Sequence, residues 1–153
     1  MAMDEHDLAI LSFLQKNNKI SQKDLARQVN LSVSAVSRRI GALEDAGVIR
    51  ENVSVLDQSM VGRSITIIVE IEIADERLDL LEEDKKRFLE SPYVQQVYYV
   101  TGEFDFLLVL AMRDMAEYEA LTRTLFFTSK NIKRFRTIVA MQNVKQTFAL
   151  PLP

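Results

Sequence analysis

Few residues in this chain are equipped for covalent chemistry. His6 is the single histidine and cysteine is absent, so thiolate metal sites and disulfides are excluded, and a Ser/His/Asp set has only His6 to draw on. His6 stands in an acidic N-terminal stretch, where a lone histidine reads as solvent-exposed rather than as a ligand. The neighbouring carboxylates Glu82, Glu83 and Asp84 read as the solvated face of a charged helix rather than a general acid/base pair. Neither a phosphate-cradling loop nor a dinucleotide fingerprint is present. The chain is therefore not expected to be an enzyme, and no metal or cofactor is expected. What remains is chemistry of recognition, in two places: the serines and arginines between Leu31 and Gly47, and the turn Thr101-Gly102-Glu103-Phe104-Asp105.

Between Leu31 and Gly47 the apolar residues Val36, Ile40 and Leu43 recur at helical spacing and mark a buried stripe. Ser32 stands where it can cap the helix, and Gly47 where a left-handed residue would end it. The opposite side carries Ser34, Ser37, Arg38, Gly41 and Ala42. Arginine forms bidentate bonds with the O6 and N7 atoms of guanine, so Ser34, Ser37 and Arg38 are the residues expected at base edges of double-stranded DNA. Arg39 lies nearer the buried stripe and is expected to meet a phosphate or an intramolecular carboxylate. Gln22 and Lys23 open the preceding helix, where side chains and free N–H groups suit phosphate.

A net charge of −3 argues against nucleic acid, but charge acts locally. Residues 1–50 carry seven Lys/Arg and six Asp/Glu. Most of those acids lie at the N-terminus (Asp4, Glu5, Asp7) or at the end of the reading helix (Glu44, Asp45).

The turn at Thr101–Asp105 has two readings. In the first it is a hairpin turn, with Gly102 at positive φ and Asp105 accepting nearby N–H bonds. In the second, Asp105 pairs the ammonium of an amino acid while N–H groups of the turn meet its carboxylate. A carboxylate between Phe104 and Phe106 demands a partner in either case.

The surrounding elements follow from periodicity. A helix is expected over about Asp4–Lys16, turn chemistry at Asn17–Lys19, and a second helix after Ser21 with Leu25, Ala26 and Val29 inward. With the Leu31–Gly47 helix this has the spacing of a helix-turn-helix. Val48–Leu56 reads as a short two-stranded wing or a linker strand, and Asp57–Gly62 as a hinge. Beyond it, Ser64–Ala74 alternates as a strand. Ala74–Glu90 reads as a helix with Leu78, Leu81, Phe88 and Leu89 inward, ended by Ser91-Pro92. Strands follow over Val94–Val100 and Phe104–Met112, then a helix from Met115 to about Phe127 capped by Asp114, and a strand over Ile132–Lys145.

The expected class is α+β: a winged-helix-type helix-turn-helix over residues 1–50, a linker over 51–63, and a ferredoxin-like β-α-β-β-α-β domain over 64–153. Two helices on one face cannot cover both sides of its apolar strands, so the free face is expected to pack on a second copy. Neither a basic leader nor an apolar run long enough for a bilayer is seen, which suits a soluble protein.

This ordered set of features resembles the Lrp/AsnC (leucine-responsive/asparagine regulator) family over nearly the whole chain. The resemblance rests on Asp7, Ile10-Leu11, Leu25-Ala26, Leu31-Ser32, Arg39, Leu43-Glu44, and the Thr-Gly-x-x-Asp turn between the middle strands. It implies a cytoplasmic, nucleoid-associated prokaryotic transcription regulator that forms homodimers and often octamers of four dimers. It also implies an amino-acid effector at the dimer–dimer contact. The turn residues Thr101, Gly102, Glu103 and Asp105 map to the family's effector site, with Thr137 near the same pocket. Ser32 joins Gln22, Lys23, Ser34, Ser37, Arg38 and Arg39 in the DNA-contacting set. Departures from the pattern bear on the operator: Val33 and Ala35 replace prolines common there, Gly41 replaces a basic residue, and Glu51-Asn52 replaces a Gly-Tyr pair.

Overall fold

The computed structural model describes residues 3–153. The chain divides into two compact units, one running up to Val55 and taking in Gln146–Pro153, the other comprising Leu56–Lys145.

The first unit holds three helices, α1 (Glu5–Leu14), α2 (Gln22–Gln28) and α3 (Val33–Asp45). Each begins where a short polar side chain satisfies a free N–H. Asp4, Ser21 and Ser32 accept from the amides of Asp7, Asp24 and Ala35. Asn30 takes φ 55° at the end of α2, and the Leu31 amide reaches back to the Ala26 carbonyl. Gly47 does the same for α3 at φ 70°, with the Val48 amide on the Leu43 carbonyl. Both helices thus end in left-handed caps that turn the chain sharply. Ile10, Leu25, Ala26, Val29, Val36 and Leu43 form a small closed core, with Ile40 packed against it.

Val48–Leu56 forms no paired strand, contrary to the expected wing or linker strand. Its alternation is real, but among the described residues no second strand pairs with it, and Val53, Val55 and Leu56 stay exposed. A strand is a property of a pair, and here the pair is missing.

The second unit begins with a turn in which Asp57 accepts from the amides of Ser59 and Met60, and Gly62 adopts φ 72°. The elements then run β1 (Ile65–Ile73), α4 (Leu78–Glu90), β2 (Val94–Tyr99), β3 (Phe106–Met112), α5 (Met115–Leu125) and β4 (Ile132–Val139). They build an antiparallel sheet of order β2-β3-β1-β4, the ferredoxin-like arrangement. Ile67, Val69, Ile71, Phe106, Leu108 and Leu110 point to the helix side and are wholly buried. Phe88 meets them edge-on, its ring centroid 5.4 Å from Phe106 and 6.4 Å from Phe126. Burial of each such side chain contributes about 1.5–3 kcal/mol.

Helix α4 starts later than its periodicity suggested, at Leu78, and its inward row is Leu81, Asp84 and Phe88. Leu78 and Leu89, expected inward, are 76% and 74% exposed. Leu89 follows Phe88 by about 100° around the helix, which carries it off the inner row. Leu78 occupies the first turn, three residues ahead of Leu81, the first buried position of the row.

Within this unit α4 and α5 both supply side chains to the core on the buried side of the sheet. Register aligns Ile68 with Val109 and Ile138, and Glu70 with Leu107 and Arg136. Toward the β2 edge Tyr98 stands opposite Leu107 and is about half exposed.

Candidate nucleic-acid interface and effector turn

In α3 the two arginines, adjacent in sequence, meet different environments. Arg38 is exposed and, among the described residues, forms no ion pair. Arg39 Nη1 lies 2.7 Å from Asp7 Oδ1 and 2.9 Å from Asp4 Oδ1. Asp4 and Asp7 also cap each other, the Asp7 amide donating to Asp4 and the Asp4 amide to Asp7. One guanidinium therefore locks a reciprocal cap at the start of α1 to the middle of α3. Of the two partners expected for Arg39, phosphate or an internal carboxylate, the structure supplies the second.

The electrostatics agree. The Asp7 amide, with Arg39 adding to it, holds the Asp4 carboxyl below the usual carboxylate range. The hydrogen bonds Arg39 donates to Asp7 and then Asp4 raise its pKa above the ordinary value.

Ser34, Ser37 and Arg38 share the solvent side of α3, as do Gln22 and Lys23 at the start of α2. Ser32 is the cap of α3: its Oγ accepts the Ala35 amide at 3.2 Å and lies 3.2 Å from Ser34 Oγ. Its hydroxyl is thereby occupied by the helix start. Gly41 has open space around the position a side chain would take, so its lack of a side chain leaves that part of α3 slim rather than serving close packing.

At the other site Gly102 takes φ 134° and the hairpin closes through the Val100 amide on the Asp105 carbonyl at 2.8 Å. The Asp105 amide donates to the Ile71 carbonyl, and its carboxylate oxygen Oδ2 accepts the Ile73 amide at 2.8 Å. The β1–β3 ladder ends at the pair Ile71–Phe106, two residues short of Ile73. The carboxylate thus takes the place of the main-chain acceptor that β1 lacks where β3 leaves it.

Beside the turn lies a cavity of about 190 Å3. Its walls carry Glu103 and Phe104 from the turn, Glu70 and Glu72 from β1, and Arg134 and Arg136 from β4. Cross-strand ion pairs organise it: Arg136 to Glu70 at 2.5 Å and Arg134 to Glu72 at 2.5 Å, with Lys133 also on Glu72 at 2.6 Å. Lys133 and Arg134 hold the Glu72 carboxyl below its ordinary range.

Of the residues expected around an effector, Glu103 lines this cavity, and Thr101, Gly102 and Asp105 build the turn at its edge. Thr137 is not brought there within one chain. Register sets it opposite Val69, on the helix side, where its hydroxyl lies 2.6 Å from the Tyr118 hydroxyl. Asp105, by contrast, pairs beside Ile73. The charged ladder was overlooked in the sequence, although its signal was there: Glu70 and Glu72 two apart in one strand, Arg134 and Arg136 two apart in another.

Residues 3–50 match the family described as winged helix-turn-helix DNA-binding, and residues 66–150 match the Lrp/AsnC ligand binding domain. The leucine-responsive regulatory protein of Haemophilus influenzae is 36% identical over 151 residues, covering 99% of this chain and 91% of that protein. A crystal structure of an AsnC family transcriptional regulator from Agrobacterium tumefaciens superposes with a TM-score of 0.93 at 33% identity, covering 97% of each chain. A transcriptional regulator from Neisseria meningitidis in complex with L-Met gives a TM-score of 0.91 at 26% identity, covering 98% of this chain and 97% of that one.

The depressed carboxyls predict an acid limit. A carboxyl whose folded pKa lies below its unfolded one contributes stability above the unfolded value and loses it as pH falls through the folded value. Asp4 and Glu72 are both of this kind. Thermal midpoints are expected to hold level from neutrality down to about pH 5 and to drop below about pH 4. In Asp4→Asn the first unit should lose part of that drop. Midpoints that rise on acidification below pH 4 would contradict the pairing.

Proposed function

The chain belongs to the Lrp/AsnC family of transcriptional regulators, and on that premise we propose that it reads operator DNA as a dimer under the control of an amino acid. The helix-turn-helix and the ligand-binding domain make it a regulator rather than an enzyme. The observation that carries the DNA reading is the contrast between the two arginines of α3. Arg39 is spent on Asp4 and Asp7 and orients the helix. Arg38 is exposed, has no ion pair among the described residues, and is flanked by Ser34 and Ser37 on the same side. Arg38 addresses a guanine edge, the two serines meet neighbouring bases, and Gln22 and Lys23 meet phosphates through the start of α2.

A single α3 with one free arginine binds weakly. Two copies joined through the open sheet face present two reading helices to successive turns of the major groove, and the avidity of the pair supplies the affinity. Further assembly into octamers of four dimers would let the protein bend DNA. The setting is that of a cytoplasmic, nucleoid-associated protein.

The effector reading rests on the cavity beside Gly102 and on the L-Met bound by the Neisseria relative. Asp105 and Glu103 offer carboxylates to an ammonium, and the N–H groups of the turn suit a carboxylate. The site completes itself at a dimer–dimer contact, which is where Thr137 of another protomer would enter. One observation favours a second reading, an assembly module without effector: Asp105 already has a partner in the Ile73 amide, so the turn stands without any ligand.

Two measurements separate these readings. In gel-shift titrations on a duplex selected by the protein from random sequence, Arg38→Ala should weaken binding by about 1–3 kcal/mol and relax the preference at one base pair. Unchanged binding and preference would overturn the assignment of Arg38. Calorimetry with each standard amino acid should give heat for at least one. In Asp105→Asn, which keeps an acceptor for the Ile73 amide but removes the charge, that affinity should fall by about 1.5–3 kcal/mol. Silence for all of them would favour the effector-free module.

A further inference from the structure

The C-terminal segment takes no part in either site, yet it is anchored. Residues 141–150 are exposed throughout and carry no regular structure. At their end Gln15 Nε2 donates to the Leu150 carbonyl at 2.8 Å, and the Leu150 amide donates to Gln15 Oε1 at 2.9 Å. One side-chain amide thereby satisfies both the donor and the acceptor of a main-chain unit, as a neighbouring strand would. The partners are 135 residues apart in sequence, so local chain geometry does not impose the contact. Around it the outer side of α1, with Leu8, Ala9 and Ser12, faces Leu150–Pro153 across a groove of about 630 Å3. Leu152 is half-buried there, and Pro151 and Pro153 restrict the segment before it docks, which lowers the entropy lost on docking.

By its contacts Gln146–Pro153 belongs with the helix-turn-helix, while Lys145 belongs with the sheet. The chain therefore crosses between the two units twice, after Val55 and after Lys145. The first crossing follows α3 along the chain, and the second leads into a segment that contacts α1. A unit on one tether pivots. A unit on two tethers is confined, and confinement raises the effective concentration of a second reading helix once the first has bound.

We propose that residues 146–153 are a reversible strap that sets the separation of the two reading helices in the dimer. Its grip is light, two exposed hydrogen bonds and one half-buried leucine, so it opens and closes without unfolding of the core. The inference rests on the DNA-binding dimer proposed above, and its test keeps the two apart.

The full-length protein and Gln15→Leu are compared on a duplex selected by the wild-type protein from random sequence and on a duplex holding one half of it. In parallel, hydrogen exchange is followed at the Leu150 amide. The strap requires protection at Leu150 that Gln15→Leu removes. It also requires a loss of about tenfold on the full duplex with the half duplex unchanged. An unprotected Leu150 in the wild type overturns it, as does an equal loss on both duplexes or no loss on either. Failure of the wild type to bind any duplex would count against the DNA reading, and exchange at Leu150 would then decide the strap alone.

Discussion

Four strands and two helices on one face leave a sheet half covered, and much of this molecule can be understood from that imbalance. The buried side, from Ile67 to Leu110, closes on Phe88 and Phe126 into a complete core. The other side lines up Ile68, Val109 and Ile138 across three strands, and Leu107 beside Tyr98. Such a stripe left in water is costly. Its charged end, where Glu70 and Glu72 pair with Arg136 and Arg134, gives direction as well as area. On the proposed reading a second copy covers the stripe, and the charged end with its cavity lies at the rim, close to the effector turn.

The DNA-reading unit reaches its geometry by a different route. Its core is small, and polar contacts complete it through three capped helix starts, two left-handed helix ends, and the Asp4–Asp7–Arg39 tie between α1 and α3. Using Arg39 internally orients α3 at the expense of a phosphate contact. Among the described residues Arg38 is then the cation of α3 with no ion pair, and on the proposed reading the unit depends on pairing. Weak single-copy binding and strong paired binding suit a regulator whose output follows its assembly, because a modest change at an assembly contact is then felt at the DNA.

How much of this was legible in the sequence varies with the kind of interaction. Val36, Ile40 and Leu43 announced the buried stripe of α3, and alternation from Ile65 to Ile73 announced β1, because both patterns are imposed by one continuous core. The cap residues Asp114, Ser32 and Gly47 were legible because backbone geometry restricts which residues fit them. Pairing was not. Val48–Leu56 alternates like a strand but has no neighbour, and Leu78 and Leu89 keep helical spacing but miss the sheet. Thr137 shows the same limit: only the register of β1 with β4 decides that, within one chain, it meets Tyr118 rather than the Gly102 turn. The contact between Gln15 and Leu150 left no trace in either local pattern. The candidate DNA residues were identifiable by helical position, and the ionic wall of the cavity only once the strands were paired.

On the proposed reading a second copy of the chain closes the uncovered sheet face, and reading DNA depends on that closure. Light scattering on the eluting protein at micromolar concentration, with the wild type beside Val109→Glu, decides whether it occurs. The wild type should show a mass of at least two chains, and Val109→Glu should shift toward one chain while its circular dichroism stays native. A wild type that elutes as a single chain, or a Val109→Glu that assembles like the wild type, would contradict the closure of this face.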